Sequence, residues 1–251
     1  MQAAGRALAD LLREVQPRDL LLMTDFDGTL APIVSEREAA RALLPTLGAL
    51  ERLVPRLLKV AVISGRGQDD LAARLPVAGL RILGDYGIET LSDAQLRALD
   101  AAASGLAPLR GRIPTIQIER KAAAIAVHFR ADPAAGAMVV RAASEIAREH
   151  GLQATPGKMV IELRLPGADK RNAVARLVES LNPGGALYIG DDENDRPAVD
   201  FVNRLAIPNL TIAVASDDAP PDLIGACKEI VDGPEGVSEL LTELATRADA
   251  V

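Results

Sequence analysis

A chain of 251 residues is long enough for one or two domains with a large core, and with 3 Phe, 2 Tyr and no Trp that core is aliphatic. The shortage of aromatic stacking platforms and a net charge of −7 argue against a nucleic-acid partner. The lone Cys227 excludes an internal disulfide and fits a reducing, cytoplasmic setting, while Asp10 and Glu14 interrupt any signal-peptide core and no apolar run approaches the ~18 residues of a membrane span.

Leu8, Leu11, Leu12 and Val15 fall at helical spacing, so residues 3–15 read as an amphipathic helix ended by Pro17. The apolar run 20–23 then reads as a buried parallel strand and runs directly into Asp25-Phe26-Asp27-Gly28-Thr29-Leu30. A helix over 43–53 leads to a second buried strand, 57–63, which ends on Ser64-Gly65-Arg66-Gly67. A helix over 69–75 and a short strand, 80–83, lead to Gly84-Asp85-Tyr86-Gly87-Ile88-Glu89. Strands alternating with helices predict a right-handed, doubly wound parallel sheet of Rossmann-like type.

The rhythm changes after residue 90. A helix over 92–107, strands over 114–121 and 123–130, a helix over 133–150 and strands over 152–155 and 159–165 give the order αββαββ. The last two strands are read as joined by a turn at Pro156-Gly157-Lys158. Adjacent strands with short turns predict an antiparallel sheet covered by helices on one face. The chain is therefore expected to be α/β, with a core over 1–90 and 167–251 and an inserted α+β cap over 91–166. The βα pattern resumes with a helix over 170–181, a strand over 186–189 ending on Gly190-Asp191-Asp192, and strands over 210–215 and 228–231.

Polar groups thus collect where buried strands end, at the edge where open α/β sheets bind ligands. They are Asp25 and Asp27, Ser64 with the amides from Gly65 onward, Lys170 opening a helix, and Asp191, Asp192 and Asp195. This is a kit for phosphoryl transfer: a carboxylate nucleophile, a cation, hydrogen-bond donors and carboxylates for Mg²⁺. In the insert, alternation puts Ile161, Leu163 and Leu165 on one face and Lys158, Glu162 and Arg164 on the other. Glu119 and Lys121 share a face of the first cap strand, and His128 and Arg130 share a face of the second. A face mixing acids and cations suits either a many-hydroxyl sugar or ordinary cross-strand ion pairs at a solvated surface.

The Asp25-Phe26-Asp27-Gly28-Thr29-Leu30 segment resembles the aspartyl-nucleophile signature of the haloacid dehalogenase-like hydrolases. Glu119-Arg120-Lys121, His128-Phe129-Arg130, Gly157 to Arg164, Ser64-Gly65-Arg66, Gly84 to Glu89 and Gly190-Asp191-Asp192 are similar to the trehalose-6-phosphate phosphatase branch, over about residues 20–240. The resemblance implies a Mg²⁺-dependent phosphoric monoester hydrolase acting on a small sugar phosphate, a monomer or weak oligomer with no membrane partner. By it, Asp25 is the nucleophile and a metal ligand. Asp27 is the general acid and then base, its carbonyl a metal ligand. Ser64 binds the phosphoryl group, Lys170 offsets charge, and Asp191 and Asp195 complete the metal site. Gly65, Arg66, Glu89, Glu119, Lys121, Arg130, Lys158 and Glu162 are implied to bind substrate. Other glycosyl phosphates, such as glucosyl- or mannosyl-glycerate phosphate and sucrose phosphate, and a phosphomutase or a non-catalytic sensor, are the alternatives. Arg171, Asn194, Arg196 and Tyr86 depart from the branch's usual residues, and Arg171 and Arg196 are expected to add cations near the phosphate end.

Overall fold

The computed structural model describes residues 2–34, 37–88, 90–157 and 159–250. It divides into two compact units, one of residues Met1–Gly87 with Asp169–Val251 and one of Ile88–Ala168.

In the first unit, helix α1 (Gln2–Glu14) precedes strand β1 (Leu20–Thr24). Then follow α2 (Leu44–Leu53), β2 (Lys59–Ile63), α3 (Gln68–Arg74) and β3 (Arg81–Leu83). In the second unit come α4 (Asp93–Arg112), β4 (Gln117–Arg120), β5 (Ala124–His128), α5 (Gly136–Glu149), β6 (Gln153–Gly157) and β7 (Val160–Arg164). The first unit resumes with α6 (Lys170–Leu181), β8 (Gly185–Gly190), α7 (Arg196–Asn203), β9 (Asn209–Ala215), α8 (Pro221–Ala226), β10 (Glu229–Asp232) and α9 (Gly233–Asp249).

The sheet of the first unit is parallel, in the order β10-β9-β8-β1-β2-β3. Its four central strands, β9, β8, β1 and β2, are buried on both faces, which is why they read as apolar runs rather than alternations. Leu20, Leu22, Val60, Val62, Leu187 and Ile189 pack on one face with α1, α2 and α9, whereas Leu21, Met23, Ala61, Ile63 and Tyr188 pack on the other with α6 and α7. Neighbours along β1 therefore serve opposite cores, as period-two strand geometry requires. Helix α9 went unread in the sequence, although Val237, Leu240, Leu241, Leu244 and Ala248 form one buried stripe.

The second unit has an antiparallel sheet in the order β4-β5-β7-β6. Two sequence expectations change here. Helix α4 continues through Pro108 to Arg112, with Pro108 on its exposed side while Leu106 and Leu109 are buried, so packing outweighs the lost amide. Pro156 and Gly157 belong to β6 rather than to a turn: β6 is an edge strand, where proline leaves no ladder donor missing. No described helix is long and apolar enough to cross a membrane.

Candidate active site

The C-terminal ends of β1 and β8 lie side by side, with Thr24 in register with Ile189, and the Asp25 amide donates to the Ile189 carbonyl at 3.0 Å. This register brings the acids of the two strand ends together. One oxygen from each of Asp25, Asp191 and Asp195 lies within 4.8 Å of the others. Lys170 stands first in α6, whose N-cap Asp169 accepts from the Asn172 amide. Its ammonium lies 2.7 Å from Asp25 Oδ2 and 2.7 Å from Asp195 Oδ1.

Electrostatics follow from burial. Asp25, Lys170 and Asp195 are 5 %, 3 % and 0 % exposed, so three carboxylates share one cation in a largely desolvated space. Burial, reinforced by Asp195 and Asp191, raises the Asp25 carboxyl well above its usual range despite Lys170. Burial and Asp195 push Asp191 up to about 7. Burial works against the Lys170 charge, but Asp195 and Asp25 outweigh it and hold the ammonium protonated. Such a cluster needs either protons or a hard cation to be stable. The all-oxygen donor set fits Mg²⁺, which takes carboxylates rather than nitrogen or sulfur ligands.

The two acids expected from the last motif differ in their surroundings. Asp195 Oδ1 accepts from Lys170 and from the Tyr188 hydroxyl at 2.6 Å, while Oδ2 accepts from the amides of Asp191 at 3.2 Å and Asp192 at 3.1 Å. It is thus a brace for its own loop. The Asp191 carboxylate accepts one hydrogen bond from a described residue, from the Thr29 hydroxyl to Oδ1 at 3.0 Å, and its Oδ2 accepts none from one. Gly28, at φ 78°, lies so close that a Cβ would overlap the Asp191 carboxylate. Asp27 is elsewhere engaged: Arg66 Nε donates to Oδ2 at 2.7 Å and Nη2 to Oδ1 at 2.6 Å.

Ser64 and Gly65 lie at the end of β2, where the Ser64 Oγ accepts from the Arg66 amide at 3.2 Å and is 2 % exposed. The following segment locks onto this turn, with the Tyr86 amide donating to the Ser64 carbonyl at 2.9 Å and that of Asp85 to the Arg66 carbonyl at 2.7 Å. Asp85, Tyr86 and Gly87 all have positive φ, at 50°, 57° and 77°. The Tyr86 phenol lies against Gly65 so closely that a side chain there would collide with it. Strain of this kind persists only where surrounding contacts enforce it.

Arg171 and Arg196 do not join the site. Arg171 follows Lys170 by one helical step, about 100° around α6, and its guanidinium covers the Phe201 ring at 5.4 Å. Arg196 pairs with Asp200 at 2.9 Å and donates to the Asp222 carbonyl at 2.6 Å. The extra cations expected at the phosphate end serve α7 and α8 instead.

In the second unit, register puts Glu119, Ala126, Glu162 and Thr155 in one row of the polar face. Lys121 donates to Glu162 Oε1, and Arg164 donates to Glu162 Oε2 at 2.7 Å. Glu119 lies 3.1 Å from His128 Nε2. Arg130 is exposed. Glu89 and Lys158 lie outside the described residues. The sequence does not mark Tyr188 or Asp70: a tyrosine inside an apolar strand and an acid in a helix carry no signal until their partners, Asp195 and Arg66, are seen.

Comparison with known proteins agrees with the motifs. A family model, that of trehalose-phosphatase, matches residues 23–222. The trehalose-phosphate phosphatase of Mycobacterium avium strain 104 is 34 % identical over 265 residues, covering 98 % of this chain and 67 % of that protein. That of Mycobacterium tuberculosis strain H37Rv is 33 % identical over 264 residues, covering 98 % and 65 %. The chain thus spans about two thirds of the length of these relatives. In fold, the trehalose-6-phosphate phosphatase of Aspergillus fumigatus superposes with a TM-score of 0.72 at 24 % identity over 97 % of both chains. A haloacid dehalogenase-like hydrolase from Bacteroides thetaiotaomicron does so at 0.62 and 19 % identity, over 88 % of this chain and 97 % of its own. With the acid cluster at the strand ends and a family match that takes in every one of its members, the chain belongs to the trehalose-phosphatase family.

Proposed function

We propose that this protein is a Mg²⁺-dependent phosphatase that hydrolyses trehalose 6-phosphate to trehalose and phosphate through an aspartyl-phosphate. The observation that carries the reading is the buried Asp25–Lys170 pair beside Asp191 and Asp195, in a chain whose relatives are named for this reaction.

Asp25 is the nucleophile. Lys170 holds its Oδ2, favours its ionised form against burial and offsets the charge of an incoming phosphoryl group. Asp25 attacks phosphorus, the bond from phosphorus to the sugar oxygen breaks, and Asp27 donates a proton to that oxygen. Water then attacks the aspartyl-phosphate, Asp27 takes its proton, and phosphate leaves with Asp25 regenerated. The Ser64 hydroxyl and the Gly65 amide contact the phosphoryl oxygens. Mg²⁺ would be held by Asp25, Asp191 and the Asp27 carbonyl, with Asp195 closing the cluster from behind, and would neutralise charge on the transferring group. Arg66 grips both oxygens of Asp27 and sets the plane of its carboxylate.

The polar face of the second unit, a cap over about 91–166, is the sugar-binding surface of this reading. Ala126, fully buried between Glu119 and Glu162 in register, keeps that row shallow where Lys121, Glu162 and Arg130 offer donors and acceptors to hydroxyls. Glu89 and Lys158 join them by the family pattern. The protein works as a monomer or weak oligomer in a reducing, cytoplasmic setting, in keeping with its single thiol.

The test is phosphate release from a panel of glycosyl phosphates, with and without Mg²⁺, by the native chain and Asp25→Asn. Selective release from trehalose 6-phosphate, lost in the variant and without metal, is the expected result. Selective release from another glycosyl phosphate would overturn the substrate but keep the mechanism.

A further inference from the structure

The ion pair at Asp27 is the first link of a longer chain. Arg66 is 2 % exposed, yet carries a full guanidinium charge raised by its two carboxylate partners against the cost of burial. Two of its nitrogens grip Asp27, and the third, Nη1, donates to Asp70 Oδ2 at 3.0 Å. Its plane lies 5.4 Å over the Phe26 ring. Asp70 in turn accepts through Oδ1 from Arg74 Nε at 2.9 Å and Nη2 at 2.6 Å. Arg74 Nη1 ends the chain on the carbonyls of Ala40 at 2.6 Å and Glu38 at 3.0 Å.

The spacing is helical: Asp70 and Arg74 are four apart, so α3 presents both on one side, toward Arg66. Charges alternate along the row, and each link uses a directional donor. A bidentate guanidinium–carboxylate pair is planar, so the plane of Arg66 dictates the plane of Asp27. Phe26 limits that plane from one side, and Asp70 fixes its rotation from the far end. Arg74, ahead of the opposing effect of burial, holds the Asp70 carboxyl down to about 2, so this anchor stays charged across working pH.

We propose that Asp70, backed by Arg74, is a positioning residue for the acid–base carboxylate Asp27, acting through the Arg66 fork. It rests on the reading of Asp27 as acid and base. The Asp70 carboxylate accepts from Arg66 and Arg74 and so would act through Arg66 rather than on the reacting atoms. Without it the Nη1 end of Arg66 loses its anchor, the guanidinium turns, and Asp27 turns with it. The consequence is selective: a step that needs a proton delivered to the leaving oxygen suffers, whereas a leaving group that departs unprotonated does not.

The experiment compares kcat/KM for the sugar phosphate identified in the panel, an alkyl leaving group, with that for p-nitrophenyl phosphate, whose phenolate leaves without a proton. Asp27→Asn is the control, with a loss of about 10²-fold or more on the sugar phosphate and far less on the aryl ester. Asp70→Asn is expected to show the same selectivity at smaller size, about 10-fold on the sugar phosphate and under about 3-fold on the aryl ester, with Asp70→Glu recovering most of it. Asp70 is 45 % exposed in its side chain, so Asp70→Asn folds, and an unchanged melting temperature checks this. Equal losses on both substrates, or none, in Asp70→Asn beside a selective Asp27→Asn would overturn the positioning role. A non-selective Asp27→Asn would instead remove the acid–base reading itself, together with the role built on it.

Discussion

The Lys170 ammonium lies 2.7 Å from Asp25 Oδ2, with both groups withdrawn from water. Among the described residues it is the cation paired with two of the three clustered acids, Asp25 and Asp195. Lys170→Met keeps the bulk and removes the charge. Phosphatase activity should fall by about 10²-fold to 10³-fold, the size seen when one preorganised charge-stabilising donor is removed. Breaking a buried pair by truncation costs about 3–5 kcal/mol, so Lys170→Ala should also lower the urea midpoint. A Lys170→Met variant with unchanged kcat would disprove the charge-offsetting role.

Removing one acid has the opposite effect on stability. Asp25→Asn retains a hydrogen-bond acceptor for Lys170 and leaves two carboxylates to one cation. The variant should be inactive, yet melt at a higher temperature than the native chain in EDTA. Added Mg²⁺ should narrow the gap by stabilising the native cluster more. Lower melting of Asp25→Asn in EDTA would show that the cluster is not short of positive charge.

Asp191 sets a pH dependence. Its carboxyl is pushed from 3.8 up to about 7, chiefly by burial and then by Asp195. An acid with a raised folded pKa binds its proton more tightly when folded, so stability falls as pH rises from about 4 to about 7. In EDTA, the urea midpoint should therefore be lower at pH 7.5 than at pH 5.5. Mg²⁺ held by Asp191 would require the ionised form, so it should restore the midpoint more at pH 7.5 than at pH 5.5. Calorimetric titration near pH 6 should also register proton release on Mg²⁺ binding. A midpoint that rises over this range in EDTA would contradict the origin given for the shift.

How far the sequence speaks depends on which contacts it encodes locally. Leu20–Met23 and Ala186–Ile189 announce buried strands by composition, and the acids directly after them were therefore placed at a sheet edge. The neighbourhood of β1 and β8 is a matter of strand order, which doubly wound topology supplies. What the sequence does not carry is the choice of partner. Nothing local tells that Asp195 spends both oxygens on Lys170, Tyr188 and two amides, or that Arg66 grips Asp27 across 39 residues. Arg171 lies over Phe201 because adjacency in sequence to Lys170 is not adjacency in space on a helix. Pro156 reads as a turn residue in sequence yet sits in a strand, because its meaning depends on whether that strand is central or at an edge.

Gly28 tests the packing around the Asp191 carboxylate. It combines φ 78° with a position where a methyl group would overlap the Asp191 carboxylate. Gly28→Ala carries the left-handed backbone penalty of about 1–2 kcal/mol together with the displacement of Asp191. Mg²⁺ affinity should fall by at least about 10-fold, equivalent to about 1.4 kcal/mol. Native-like Mg²⁺ affinity in Gly28→Ala would mean that Asp191 moves freely and is not held by Thr29 and Gly28 as described.

Glu162 supplies the last test, in the second unit. It is 8 % exposed and is shared by Lys121 and Arg164, so one carboxylate balances two cations on the polar face. Glu162→Ala leaves those cations without their shared acceptor and should destabilise the protein by about 3 kcal/mol, in the range for breaking a buried pair. Glu162→Gln keeps the hydrogen bonds and loses the charge, so it should fold with a smaller loss. If this face holds the sugar, Glu162→Gln should raise KM for the sugar phosphate by about 10-fold and leave p-nitrophenyl phosphate, which has no sugar, within about 2-fold, since a lost charged hydrogen bond is worth about 1.5–3 kcal/mol. Equal effects on both substrates would assign Glu162 to stability alone and move the sugar contacts to other residues of the cap.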